Sequence, residues 1–346
     1  MLNKNLPFGL LAILLVILLA PSCRHASKEE KIAIGVSDTS LKYLEALNKK
    51  ISADGKNAGL YNLRARFYIN DRQFNKALKD INQALSLNPK DASFYVTLSD
   101  LYLLTGEPQK CSDALKKALT ISPKDNDALI KFAKLSLIQR DYKSTFENLK
   151  KALDNQPVNP KAHFLRALAL LENGDTLKAV DDLRKAVDQD QHYFDAYVQL
   201  GDLYTIKKDK LAAEYYRAAL NIHPGSREVL YSLGMFYQES GQYDKAIETY
   251  TTLGKVDSTF KNAPYNIGYI YLVYLHDFNK AVSCFSEAIK RSPAYVEAWY
   301  NRGYSYELMG QNGKAYDDYQ KTLQISTNYQ KAIDGLNRLD KSKKRR

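Results

Sequence analysis

The sequence predicts an all-α fold made by stacking about eight copies of a two-helix unit. Three observations carry this: a column of small residues at a near-constant step, aromatic residues in phase with it, and prolines between the copies. Back from Gly303 the small column runs through Gly268, Gly234, Gly201, Ala167, Ala133, Ser99 and Ala65. The step is 34 residues, except 35 between Gly268 and Gly303 and 33 between Gly201 and Gly234. A second column holds Ala77, Cys111, Thr145, Ala179, Ala212, Ala246, Ala281 and Ala315. Small side chains let helix axes approach to roughly 8–10 Å, and aromatic rings fill the grooves beside them. Pro89, Pro123, Pro157, Pro224 and Pro293 mark breaks between copies, because proline cannot continue a helix.

The last copy shows the unit most clearly. Trp299, Gly303 and Tyr306 fall on a first helix, Gly310 to Gly313 make a turn, and Ala315, Tyr319 and Leu323 recur every fourth residue on a second. Alone, such a hairpin cannot bury its apolar face, so each copy needs a neighbour. In-phase small, aromatic and proline columns resemble the tetratricopeptide repeat family, with units at 58–91, 92–125, 126–159, 160–193, 194–226, 227–260, 261–295 and 296–329. The resemblance implies a right-handed superhelical solenoid whose first helices line a concave, peptide-holding groove.

The ends are of different character. Lys4 precedes an apolar run, Leu6 to Ala20, that is short for a membrane span and closes on Ala20-Pro21-Ser22 before Cys23. Residues 1–22 resemble a bacterial lipoprotein signal, which implies that Cys23 is lipidated and begins the mature chain. An uncleaved anchor or an ordinary secretory signal is the alternative. Arg24 after the cysteine implies the outer membrane of a bacterial cell envelope, and Lys28-Glu29-Glu30 faintly resembles a surface-export signal. Residues 23–38 read as a tether. Leu41, Leu44, Leu47 and Ile51 form a helical stripe within 39–57, and Ile333, Leu336 and Leu339 another within 330–340. A stack exposes an apolar face at each end, so both stripes read as capping helices.

Charge adds little. The formal net charge is +11, but five of those charges come from Lys341, Lys343, Lys344, Arg345 and Arg346 in a basic tail at 341–346. Nucleic acid is not an expected partner of an exported chain; the tail suits solubility or a weak anionic surface. Cys111 and Cys284 lie five repeats apart, so they are expected to be packed free thiols. No catalytic constellation, metal site or cofactor motif is found. The five histidines are scattered, no Cys-x-x-Cys, phosphate loop or nucleophile elbow occurs, and acidic pairs such as Asp181-Asp182 and Asp317-Asp318 sit on helix faces beside lysines, where adjacent carboxylates do not converge as a dyad.

Tyrosine is the informative residue. Many of the 26 tyrosines fall in columns where repeats pack an aromatic. A separate group lies on the first-helix face that, by the resemblance, lines the groove: Tyr231 and Met235, then Tyr265, Asn266 and Tyr269, then Tyr300, Asn301 and Tyr304. Asparagine is not favoured inside helices, and an amide offers both a donor and an acceptor to an extended backbone. Tyrosines beside it would give apolar walls with polar tips. The bland alternative is that the asparagines bond neighbouring helices and the tyrosines pack between repeats. The expected function is a membrane-anchored scaffold that binds an extended segment of a partner protein, with no enzymatic activity. A homo-oligomer without a peptide ligand, or a cell-wall polysaccharide binder, is the competing reading.

Overall fold

The structure is a computed structural model that describes residues 38–344, among which every regular element is helical. The apolar run, Cys23 and residues 24–37 of the tether lie outside the described residues, and residue 38 already belongs to the first helix. The chain divides between Tyr193 and Phe194 into two compact units. The first holds α1 (Asp38–Ala53) and four hairpins: α2 (Ala58–Asn70) with α3 (Phe74–Leu87), α4 (Ala92–Leu104) with α5 (Pro108–Ile121), α6 (Asn126–Ile138) with α7 (Tyr142–Asn155), and α8 (Pro160–Glu172) with α9 (Thr176–Gln189). The second holds α10 (Phe194–Ile206) with α11 (Leu211–Ile222), α12 (Arg227–Glu239) with α13 (Tyr243–Val256), α14 (Asn262–Ile270) with α15 (Phe278–Arg291), and α16 (Val296–Leu308) with α17 (Asn312–Ile325), ending in α18 (Gln330–Lys344).

Within each unit a helix packs on its hairpin partner and on the next hairpin. First helices also reach each other, α2 to α4 and α6 to α8 in the first unit, α10 to α12 and α16 to α18 in the second. The first helices therefore form the tighter layer of each stack.

Every hairpin turn needs one residue in the left-handed region, where the chain reverses and the last carbonyls find new donors. Gly174 serves in one turn, with Asp175 N–H donating to Leu170 O at 2.8 Å. Arg140 serves in the preceding one, with Asp141 N–H donating to Ser136 O at 2.8 Å. Glycine and non-glycine alternate along the chain: Arg72, Gly106, Arg140, Gly174, Lys208, Gly241, His276, Gly310. The following aspartates, Asp141, Asp175 and Asp277, cap the second helices through Ser144, Lys178 and Lys280 N–H.

The small column packs differently in the two units. In the second, buried rings lie against the glycines: a Cβ added to Gly201 would stand 2.5 Å from Tyr216, one on Gly234 2.5 Å from Tyr250, and one on Gly268 2.9 Å from Phe285. In the first unit the column is Ala65, Ser99, Ala133 and Ala167, and the same register of the second helices holds fully buried Ile81, Leu115, Leu149 and Leu183. Where the ring is a tyrosine, its hydroxyl finds a polar partner on the first helix. Tyr216 donates to Asp202 Oδ1 at 2.7 Å, Tyr250 to Gln238 Oε1 at 3.2 Å, and Tyr319 to Glu307 Oε2 at 2.5 Å. Where it is Phe285, buried Leu272 packs against it instead.

The uneven steps have local causes. Helix α11 is 12 residues long where the other second helices have 14. The connector before it, 207–210, is one residue longer than in the other hairpins without a π-helical turn, and together these leave the step at 33. The step of 35 is absorbed by a π-helical turn, Tyr271–Leu275, that follows α14 and ends on left-handed His276.

Asp182 and Asp318, on helix faces beside lysines, turn into their hairpins. They are buried at 3% and 4% exposure and clamped by Arg166 and Arg302, in each case by bidentate bonds of 2.6–2.8 Å across 16 residues. Arg64 clamps Asp80 in the same way. Burial opposes ionisation of Asp182, but hydrogen bonds from Arg166 and His163 outweigh it and hold its carboxyl below the usual range. Helix α18 runs past residue 340 to Lys344, beyond the bound expected for the capping helix. Its Ala332 and Leu339 are buried with Tyr319, and Gly335 lies against the Tyr319 ring. Leu47 of α1 is likewise buried, and Leu44 packs with Ala65 and Ile69. Cys111 and Cys284 are free, their thiols pushed up to about 11 by burial.

Candidate functional site: a tyrosine wall on the first helices

Helices α12, α14 and α16 bring Tyr231, Tyr265 and Tyr300 into one register, three residues before the glycine column. Met235, Tyr269 and Tyr304 follow one turn later on the same helical face. All six are half-buried, with part of each side chain open to solvent. Tyr300 and Tyr304 stack almost parallel, 4° apart with centroids 6.2 Å apart, and Tyr265 and Tyr269 stack at 6.5 Å and 29°.

The amides lie elsewhere than the sequence suggested. Asn266 and Asn301 are buried at 9% and 8% exposure. Asn301 Nδ2 donates to the Tyr265 hydroxyl at 3.0 Å, and Asn266 Nδ2 points to Met235 Sδ at 3.8 Å. Each amide thus spends a donor on the preceding repeat and sets the spacing of the wall. A helical position two before the glycine turns toward the preceding hairpin.

Sequence reasoning missed the aromatics that back the wall. Phe260, Tyr295 and Tyr329 sit in the turns after second helices and pack on Tyr231 at 5.6 Å, Tyr265 at 4.8 Å and Tyr300 at 5.4 Å. Phe164 and Tyr193 repeat the device in the first unit at 5.1 Å. Their signal was an aromatic at a fixed place after the second helix, in turns read only for prolines.

Burial raises the Tyr265 phenol to about 12, helped by the nearby Glu297 charge and opposed by the Asn301 bond. Tyr295 and Tyr329 are raised by burial first, with Glu297 again contributing. Phenols held neutral in this way offer flat apolar faces and O–H donors. Glu307 is held below the usual carboxylate range: burial opposes this, but bonds from Arg338 and Tyr319 prevail. Arg338 of α18 grips Glu307 with two bonds of 2.8 Å. Among the described residues, no three His, Cys, Asp or Glu side chains gather as a metal site, and no helix is long and apolar enough to cross a membrane. The chemistry on offer is that of a binding surface.

Comparison with known proteins agrees with this architecture. The tetratricopeptide repeat profile matches residues 58–91, 92–125 and 296–329, and that of the N-terminal TPR repeats region of Psidin matches 136–281. The BBSome complex member BBS4 of Bos taurus is 28% identical over 134 residues, 38% of this chain and 25% of that protein. This chain therefore matches only a quarter of that relative's length. The C-terminal part of a TPR repeat-containing protein from Cytophaga hutchinsonii has a TM-score of 0.62 at 17% identity, covering 70% of this chain and 99% of that one. Pseudomonas aeruginosa pilF gives 0.53 at 16% identity, covering 59% and 95%. At such identities the structural likeness is one of fold. With the repeat profiles, the glycine and alanine columns and the hairpin stacks all in the same phase, the chain belongs to the tetratricopeptide repeat family.

Proposed function

We propose that the protein is a lipid-anchored scaffold of the bacterial cell envelope, acylated at Cys23, that holds an extended segment of a partner protein against the wall of repeats six to eight. It supports assembly of a cell-envelope complex at the outer membrane. The observation that carries this reading is the half-open ladder of Tyr231, Met235, Tyr265, Tyr269, Tyr300 and Tyr304 on one face of successive first helices. Rigid rings with polar tips lose little side-chain entropy on binding, which makes them effective anchors. Asn266 and Asn301 act as spacers that fix the ladder, and an extended ligand meets the rings first.

The test is a photo-crosslinking amino acid placed at Tyr269 or Tyr304 in the native host, followed by mass spectrometry of the adducts. A discrete protein adduct, lost when Tyr265 and Tyr300 become serine, is the expected result. Absence of adducts from both positions ends the reading. Self-association is favoured by one other observation: Val273, Tyr274 and Leu275 of the π-helical turn are exposed at 38–41%. Light scattering that shows a dimer abolished by Tyr274→Ser would select it.

A further inference from the structure

Tyrosine rings elsewhere in this chain show what their faces attract. Those that face their own second helix repeatedly carry a lysine. Lys76 lies over Tyr68 at 5.5 Å, Lys110 over Tyr102 at 5.4 Å, Lys245 over Tyr237 at 5.5 Å, Lys280 over Tyr271 at 5.0 Å and Lys314 over Tyr306 at 5.3 Å. A ring's negative face attracts a cation within about 6 Å. In the wall, Lys261 reaches Tyr295 at 4.4 Å and Arg338 reaches Tyr304 at 5.8 Å. Among the described residues, no lysine or arginine of the chain lies over Tyr231, Tyr265, Tyr269 or Tyr300.

The same place holds an unpaired negative charge. Glu297 is exposed on α16, close enough to act on the Tyr265, Tyr295 and Tyr329 phenols, and forms no ion pair among the described residues. Its register in the preceding repeats is occupied by Asn262, Glu228 and Asp195, all acid or amide side chains, while the adjacent Lys261 and Arg227 are spent on Tyr295 and Phe260 behind the wall. Spacing adds a third constraint. The Tyr265–Tyr269 and Tyr300–Tyr304 centroids are 6.5 and 6.2 Å apart. An extended chain rises about 3.3 Å per residue, so alternate side chains on one of its faces stand at nearly that distance.

Resting on the groove reading above, we infer that the wall recognises a basic segment: an extended stretch of a partner protein with lysine or arginine at alternate positions. Its cations lie over Tyr265, Tyr269 and Tyr300, and Glu297 is the counter-charge.

The test is fluorescence anisotropy on the full chain in detergent micelles, with labelled octapeptides alternating lysine–serine or glutamate–serine. Expected is binding of the lysine peptide at least about 10-fold tighter than the glutamate peptide, weakening with salt. Glu297→Gln, at an exposed site, is expected to weaken the lysine peptide by about 3- to 10-fold with an unchanged melting curve. Equal affinity for the two peptides, or no effect of Glu297→Gln, overturns the inference. A parallel chain with Lys343, Lys344, Arg345 and Arg346 replaced by serine separates the sources. If only that chain binds, the occupant is this protein's own C-terminus and the partner assignment fails. Crosslinked adducts at Tyr269 whose sequences lack basic residues leave the groove reading standing and remove this one, whereas no adducts remove both.

Discussion

At the scale of single residues, the second unit pairs a missing side chain with an oversized one. The glycines of the column have no Cβ because Tyr216, Tyr250 and Phe285 occupy that space. Gly234→Ala is expected to cost about 1–3 kcal/mol by overpacking against Tyr250. Combined with Tyr250→Leu, which imitates the Ala133 and Leu149 register of the first unit, the cost is expected to fall at least about 1 kcal/mol short of the sum of the single changes in urea melts. The glycine column was plain in the sequence. Its partner was not, because a tyrosine in a second helix reads as ordinary core until its distance to the glycine is known. Asp202 carries a second consequence. Burial raises its carboxyl from 3.8 to about 6, although the Tyr216 hydroxyl bond pulls the other way. The folded chain therefore holds a proton between about pH 4 and 6 that the unfolded chain releases, so this residue's contribution to stability falls as pH rises through that window. Asp202→Asn keeps the acceptor for Tyr216 and removes the charge. Its melting temperature should match the parent near pH 4 and exceed it at pH 7–8, a gain on the order of 1–2 kcal/mol after screening.

Between helices, the Arg64–Asp80, Arg166–Asp182 and Arg302–Asp318 clamps lock the first helix of a hairpin to its second. Removing one partner strands a buried carboxylate. Arg64→Ala is expected to cost about 3 kcal/mol, while Arg64→Met with Asp80→Leu recovers most of it, as measured by chemical denaturation. These clamps recur 16 residues apart in three repeats, yet each aspartate follows or precedes other charged residues and so resembles a surface face. Periodicity distinguishes apolar from polar positions, but it cannot say which polar position meets a guanidinium on the adjoining helix. The same limit governed the candidate site. Its six tyrosine and methionine positions were legible as a stripe, but Asn266 and Asn301 turn into the wall because a residue one step along a helix points about 100° away. The π-helical turn was legible only as a step of 35; its geometry depends on where the extra residue is accommodated.

For the molecule as a whole, nearest-neighbour stacking makes damage local. Stability of such arrays sums contributions from units and the interfaces between adjacent ones. Ala246 is fully buried at a helix crossing, so Ala246→Glu places a charge there at several kcal/mol. Hydrogen exchange is expected to quicken in peptides from α12 to α15 while those from α2 to α9 keep their protection. Loss of protection throughout would mean that the two units open as one.

The alternation of turn residues also makes the chain differentially cuttable. Arg72 and Arg140 are exposed and stand in hairpin turns, whereas the other described arginines belong to helices. Proteolysis concentrates on exposed bonds outside regular structure. A brief digest with an arginine-specific protease is therefore expected to release residues 73–140 first, a fragment that begins with the second helix of one repeat and ends with the first helix of another.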